Sequence, residues 1–235
     1  MLSPAQKHKE RVMLSQALAR HQPVTSGHSL HVQLRELERD IAALRTQPRT
    51  CDRVEMKRTI LLPKWLPTAQ QYLDAGEVYQ NLVFSWCIVW LFDVEEFDQA
   101  LDWADIAISQ GQQTPDRLKR TFTAFVADSI FAWAATATEL GESVEPYFSR
   151  TFRNVAEKWR LHEEISAKWY KAAGLLLLRD DAGAPRATAV DDVDTLKKAD
   201  ALLEKAAAFH RAIGVGTMRK QIAARIRALE SGKAE

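Results

Sequence analysis

A run of leucine and isoleucine residues at alternating spacings of four and three limits the fold more than any other feature of this chain. The residues are Leu30, Leu34, Leu37, Ile41 and Leu44. In an α-helix these positions fall on one face, whereas a β-strand would place them on both sides of a sheet. The run covers about two heptads and supports two interpretations. It is either a coiled-coil seam through which subunits oligomerise or an amphipathic helix that packs on the chain's own core.

Glycine and proline are scarce, which extends the helical prediction to the rest of the chain. The 235 residues include nine glycines and eight prolines, and 46% are hydrophobic. This composition favours long helices joined by short loops around a substantial core. We predict an all-α protein with an N-terminal basic helix, a short coiled-coil-like helix and then an antiparallel domain of tetratricopeptide-like helical hairpins.

No signal peptide is recognised, and the longest apolar run, at 82–92, is well short of the ~20 residues that span a bilayer. The sequence therefore predicts a soluble protein of the cytoplasm. Cys51 and Cys87 are expected to be reduced, with Cys87 in the core.

Prolines, glycines and changes in charge divide the chain into predicted regions. These are basic DNA-binding and oligomerisation helices at 1–60, a proline-rich connector at 61–67, a helical core domain at 68–180, a linker at 181–193 and a C-terminal helical hairpin at 194–235. Within the core domain we predict helices at 68–92, 95–110, 116–140, 144–160 and 162–180. Gly111 and Gly141 are predicted C-caps, and Asp192 or Asp194 is the predicted N-cap of the last hairpin.

The charges are unevenly distributed. Residues 1–60 contain eleven Lys/Arg against six Asp/Glu, residues 61–150 five against thirteen, and residues 151–235 sixteen against twelve. A basic end beside an acidic middle indicates a polyanion site, although a solvated helical face can have the same composition. The candidate DNA contacts are Lys7, Lys9, Arg11, Arg35, Arg39, Arg49, Arg53, Lys57 and Arg58.

No motif in the sequence predicts a catalytic centre. Asp98, Asp102 and Asp105 share one helical face and are the best candidates for holding Mg²⁺ in a nuclease, but a solvated acidic face is the preferred interpretation. A glycine-rich phosphate loop, a CxxC pair and zinc-ligand spacing are all missing from the sequence. We predict no catalytic residue, no bound metal and no cofactor.

Four stretches of this sequence resemble the GpM family of phage terminase small subunits. They are SPAQKH at 3–8, LLPKWLP at 61–67, the stretch 90–101 that opens with WLFD, and GLLLLRD at 174–180. The resemblance extends over about residues 3 to 230. Members of this family can carry a long basic tail, whereas the only basic residue near Glu235 in this sequence is Lys233.

The resemblance implies a DNA-recognising subunit of the viral packaging machine. Such a subunit binds the cohesive-end site on double-stranded phage DNA in the bacterial host and directs the large, ATP-driven subunit. It is expected to work as a homo-oligomer, of which a ring is one form. Family members are often labelled the endonuclease subunit, so a Mg²⁺-dependent endonuclease is the first alternative. The second is a helical adaptor that binds only protein.

Overall fold

The computed structural model describes residues 27–180 and 183–232, except for the side chains of residues 27–30. Regular structure in these residues is helical, and the only β contact among them is an isolated bridge between Arg179 and Pro185. The predicted all-α class is confirmed. Among the described residues, none of the helices combines the length and the apolar character needed to cross a bilayer. The chain forms two compact units that divide between Phe122 and Thr123.

The first unit is built from helices that enclose an aromatic core. They are α1 (Gly27–Thr46), α2 (Thr50–Met56), a π-helical turn (Lys57–Leu61), α3 (Leu62–Ala75), α4 (Leu82–Asp93) and α5 (Phe97–Ser109). Phe84 on α4 is fully buried, and its ring lies 5.4 Å from Tyr72 of α3 and 5.4 Å from Trp103 of α5. Cys87 and Trp90 on α4 are also fully buried. The predicted core position of Cys87 is therefore confirmed.

Residues 61–67, predicted to be a proline-rich connector, lie instead within a continuous helical stretch formed by α2, the π-helical turn and α3. Pro63 occupies the first turn of α3, where a missing backbone N–H costs little. Pro67 is accommodated inside the helix. Trp65 and Leu61 are buried on either side of Pro63. Packing of these apolar side chains outweighs the helix-breaking tendency of the two prolines, so this segment is part of the core.

The predicted helix at 68–92 is wrong because it is broken in the middle. Gly76 ends α3 with a φ of 68°, a left-handed conformation that favours glycine. A new helix then begins at Leu82, where the side chain of Asn81 accepts a hydrogen bond from the Phe84 amide. The loop between them is held by Gln112, whose side-chain amide donates to the Tyr72 hydroxyl and to the Tyr79 carbonyl.

The second unit has its own core. Its helices are α6 (Phe122–Glu139), α7 (Tyr147–Glu157), α8 (Glu163–Leu176), a 3-10 turn (Ala187–Ala189), α9 (Val193–Phe209) and α10 (Gly216–Ser231). The last two helices are antiparallel, because Lys197 pairs with Glu230 while Glu204 pairs with Arg219. The hairpin predicted for the C-terminal region is thus present, whereas its tetratricopeptide-like character stays a prediction.

Several predicted helix ends agree with the structure. Gly111 and Gly141 follow α5 and α6 with φ values of 65° and 75° and donate their amides back into the last turn of each helix. Asp192 is the N-cap of α9, where its carboxylate accepts from the amides of Asp194 and Thr195. The start predicted at residue 116 is wrong, since α6 begins at Phe122.

Candidate nucleic-acid interface

The inner side of α1 carries the leucine and isoleucine run. Leu34, Leu37, Ile41 and Leu44 are buried in a single copy of the chain, and Leu37 has no exposed surface. The side chain of Leu30 lies outside the described residues. Burial within one chain favours the interpretation of an amphipathic helix on its own core. Oligomerisation through these residues stays a prediction.

One flank of α1 is fixed to α3 by a charged cluster. The Lys64 ammonium lies 2.8 Å from Glu36 and 2.7 Å from Asp40, and the Trp65 indole N–H donates to the same Asp40 carboxylate at 2.8 Å. Burial alone would lower the pKa of Lys64, but its hydrogen bonds to Asp40 and Glu36 outweigh burial and leave that pKa above its ordinary value. The cluster links α1 to α3 and offsets one of the two negative charges that Glu36 and Asp40 carry.

Four arginines of α1 and of the turn after it are exposed. Arg35 and Arg39 are one helical turn apart, Arg45 lies in the last turn of α1, and Arg49 precedes α2. All four are exposed, and the structure shows no hydrogen bond or ion pair from their side chains to any residue it describes. We call these four residues the arginine surface. Its guanidinium groups are available for phosphate oxygens, which they can hold in bidentate geometry.

Three other predicted DNA contacts, Arg53, Lys57 and Arg58, make contacts within the fold. Arg53 donates to the Gln47 carbonyl and the Thr50 hydroxyl. The Lys57 ammonium is 2.7 Å from Asp93, and only 13% of its side chain is exposed. Arg58 donates to the Val94 carbonyl at 3.0 Å. Arg53 thus joins α2 to the turn before it, while Lys57 and Arg58 tie the π-helical turn to the end of α4. The sequence did not reveal these structural contacts.

Three predicted DNA contacts lie near the N-terminus, and two further basic residues were not predicted. Lys7, Lys9 and Arg11 lie outside the described residues. Arg45 was not among the sequence-derived candidates, although it lies in the last turn of the helix that carries Arg35 and Arg39. Lys64 was also not among them, because its role depends on two carboxylates of another helix. The structure therefore leaves Arg35, Arg39 and Arg49 exposed, together with one further arginine.

The acidic residues of α5 have different surroundings from those expected of a metal site. Asp98 is exposed in the first turn of the helix, and Asp102 and Asp105 follow on the same helix. Within 27–180 and 183–232, no group of three or more His, Cys, Asp and Glu side chains is arranged to hold a metal ion.

Comparison with known proteins assigns the chain to a family. A family model described as phage small terminase subunit matches residues 34–164. The chain is 42% identical over 205 residues to the probable terminase, endonuclease subunit of Haemophilus phage HP1 (strain HP1c1), covering 87% of this chain and 73% of that relative. It is 27% identical over 215 residues to the terminase, endonuclease subunit of Escherichia phage P2, covering 87% of this chain and 85% of that relative. No solved structure gives a match. The resemblance predicted from the sequence is thus confirmed, and the chain belongs to the phage small terminase subunit family.

Proposed function

We propose that this chain binds the cohesive-end packaging site on double-stranded phage DNA and recruits and regulates the large ATPase-nuclease subunit of the terminase. Membership of the small terminase subunit family carries this proposal. The proposed site of action is the host cytoplasm, and the proposed working form is a homo-oligomer, a ring being one form it can take. Repetition of a weak DNA contact around such an assembly would raise its avidity.

The arginine surface supports the DNA-binding part of the proposal. Arg35, Arg39, Arg45 and Arg49 are exposed, while the nearby carboxylates of Glu36 and Asp40 are already paired with Lys64. Contacts from arginine to phosphate fix the position of a protein on DNA but do not read base sequence. Each contact releases condensed counterions, so the affinity it provides decreases with added salt.

Replacing the four arginines of the arginine surface with alanine tests this proposal. DNA affinity should decrease, and the slope of log K against log salt should become shallower by about 0.9 for each phosphate that the variant no longer binds. Fluorescence anisotropy with labelled cohesive-end DNA measures both quantities. A matched control removes four exposed basic residues of the second unit, Arg153, Lys158, Arg160 and Lys168. If the variant and the control have the same affinity, the arginine surface is not where DNA binds. If the unmodified chain ignores DNA even at low salt, the protein-only adaptor is the better description.

A separate variant distinguishes a structural role from DNA binding. Lys57→Ala removes the ion pair with Asp93 from a largely enclosed position. The loss in the free energy of unfolding should lie between the ~1 kcal/mol of an exposed pair and the ~3 kcal/mol of a buried one. DNA affinity per folded molecule should not change. A large decrease in affinity without loss of stability would instead place Lys57 in the DNA interface.

The names of the relatives favour a second candidate function. Both are called endonuclease subunits, so this chain itself could cut DNA with bound Mg²⁺. Purified chain would then nick cohesive-end DNA in the absence of the large subunit, and Asp98→Asn with Asp102→Asn would abolish nicking. If cleavage requires the large subunit and survives these substitutions, the nuclease is in the large subunit.

A further inference from the structure

The second unit contains an apolar cavity that the proposed DNA-binding surface does not use. Its volume is about 290 Å³, and it is partly open to solvent. Residues of α6 and α8 line it, together with Phe148 of α7 and the loop residues Val144 and Pro185. An apolar cavity of ~150 Å³ is enough to hold benzene. This cavity therefore has room for more than one bulky apolar side chain.

Two of the helices contribute to its lining at helical spacing. Phe131, Ala135 and Thr138 of α6 are spaced four and three residues apart, and Ala172 and Leu175 of α8 are spaced three apart. The small side chains of Ala135 and Ala172 leave room between the larger ones. Such a groove between two helical stripes is the shape into which the apolar ridge of an amphipathic helix fits.

The lining also contains a cation, Arg179, just after α8. Its side chain is half-buried, and no residue in the described part of the chain forms a hydrogen bond or ion pair with its guanidinium group. A cation against apolar walls is less well solvated than one in open water. A carboxylate from an incoming ligand would supply the missing partner in bidentate geometry.

We infer that this cavity docks an amphipathic helix of a protein partner, with a bulky apolar side chain in the cavity and an acidic side chain about one turn away on Arg179. The inference rests on the proposed recruiting function and names the surface that would perform it. The apolar volume selects the bulky side chain, and the guanidinium group of Arg179 selects the acidic one. The partner expected to carry this helix is the large terminase subunit.

The test measures binding of the purified large subunit of the same phage to the full chain by isothermal titration calorimetry. Ala135→Trp fills the cavity from an exposed position, and Arg179→Glu reverses the charge at its edge. Each should weaken binding by about tenfold or more, as expected for a hot-spot position. The matched controls, Ala132→Trp on α6 outside the cavity and Arg153→Glu on α7, should bind within about twofold of the unmodified chain. DNA affinity and thermal unfolding of each variant confirm that it is folded.

The possible results separate this inference from the proposed function. If both cavity variants bind the large subunit normally, the docking site is wrong while recruitment stands. If the unmodified chain does not bind the large subunit, recruitment and the docking site are both wrong. A change in the sedimentation mass of Ala135→Trp alone would assign the cavity to a second copy of this chain. A titration with decanoate tests for a small amphiphile as the occupant. That occupant is identified if the cavity variants weaken the binding of decanoate but leave the binding of the large subunit unchanged.

Discussion

At the residue scale, the two cysteines differ sharply in their surroundings. Cys87 on α4 has no exposed surface, and burial raises the pKa of its thiol far above the ordinary 9.0. Cys51 on α2 is exposed. Because the thiolate is the reactive form, iodoacetamide at neutral pH should label Cys51 and leave Cys87 unmodified in the folded protein. Peptide mass spectrometry checks this, and a parallel reaction in urea should label both. Labelling of Cys87 without denaturant would mean that α4 opens readily.

Asp192 should make the stability of α9 depend on pH. Hydrogen bonds from the Thr195 hydroxyl and amide, together with the Asp194 amide, hold the pKa of Asp192 below its ordinary 3.8. Its folded pKa is lower than its unfolded pKa, so its contribution to stability is complete above the unfolded value and is lost as the pH falls through the folded value.

Thermal unfolding from about pH 5 to about pH 2 measures this effect. Asp192→Asn retains a capping side chain but cannot titrate, so the difference in melting temperature between it and the unmodified protein should shrink as the pH falls. The exposed Asp194→Asn is the matched control. A constant difference across this range would show that the charge of Asp192 does not contribute to the cap.

The candidate DNA-binding residues show what sequence can predict about a single side chain. The sequence identifies which residues are charged, and the positions of Arg35 and Arg39 relative to the leucine and isoleucine stripe place them on the outside of α1. It does not identify partners that come from distant elements. Lys57 meets Asp93 and Arg58 meets the Val94 carbonyl only because the π-helical turn packs on the end of α4. Charge was therefore predictable, whereas its availability to a ligand was not.

At the scale of elements, α8 and α9 make an unusually close approach at Gly174. A Cβ at this position would lie 2.9 Å from Leu203 Cδ2 and 3.1 Å from the Ala199 carbonyl oxygen. Gly174→Val should therefore push α9 away and lower the free energy of unfolding by about 1–3 kcal/mol, the usual cost of overpacking a core. Urea denaturation followed by circular dichroism measures the loss.

Gly216→Ala is the control for this prediction, because a Cβ there would meet no atom within 4 Å. Its stability should match or slightly exceed that of the unmodified protein, since alanine has less conformational freedom in the unfolded chain. Equal stability of Gly174→Val and the unmodified protein would mean that α8 and α9 separate without cost.

The periodic helices were predictable and their interruptions were less so. The spacing of apolar residues locates α1, α5 and α9, and glycine locates the ends of α5 and α6. In contrast, Gly76 breaks the predicted helix at 68–92 without a neighbouring proline to signal it. Pro63 and Pro67 suggest a connector, yet burial of Trp65 keeps the chain helical there. Local signals give the helices, whereas tertiary packing determines which interruptions occur.

At the scale of the whole molecule, the total charge says little about DNA binding. The formal net charge is +1, but residues 1–60 are basic and residues 61–150 are acidic. Attraction to a polyanion therefore depends on which basic side chains remain unpaired and exposed. Each of the two compact units has a core of its own, so the proposed DNA-binding surface in the first unit and the proposed docking cavity in the second can be altered independently.

The mass of the protein in solution tests where α1 makes its apolar contacts. Leu37 is fully buried in a single chain, so Leu37→Ala should lower the free energy of unfolding by about 2–5 kcal/mol and leave the sedimentation mass unchanged. Val32→Ala, at an exposed position of the same helix, should change neither. If α1 instead pairs between subunits, Leu37→Ala would dissociate the assembly toward the 26.6 kDa monomer, and its melting temperature would depend on protein concentration. That result would favour the coiled-coil interpretation, whereas an unchanged mass places the subunit interface of any homo-oligomer on another surface.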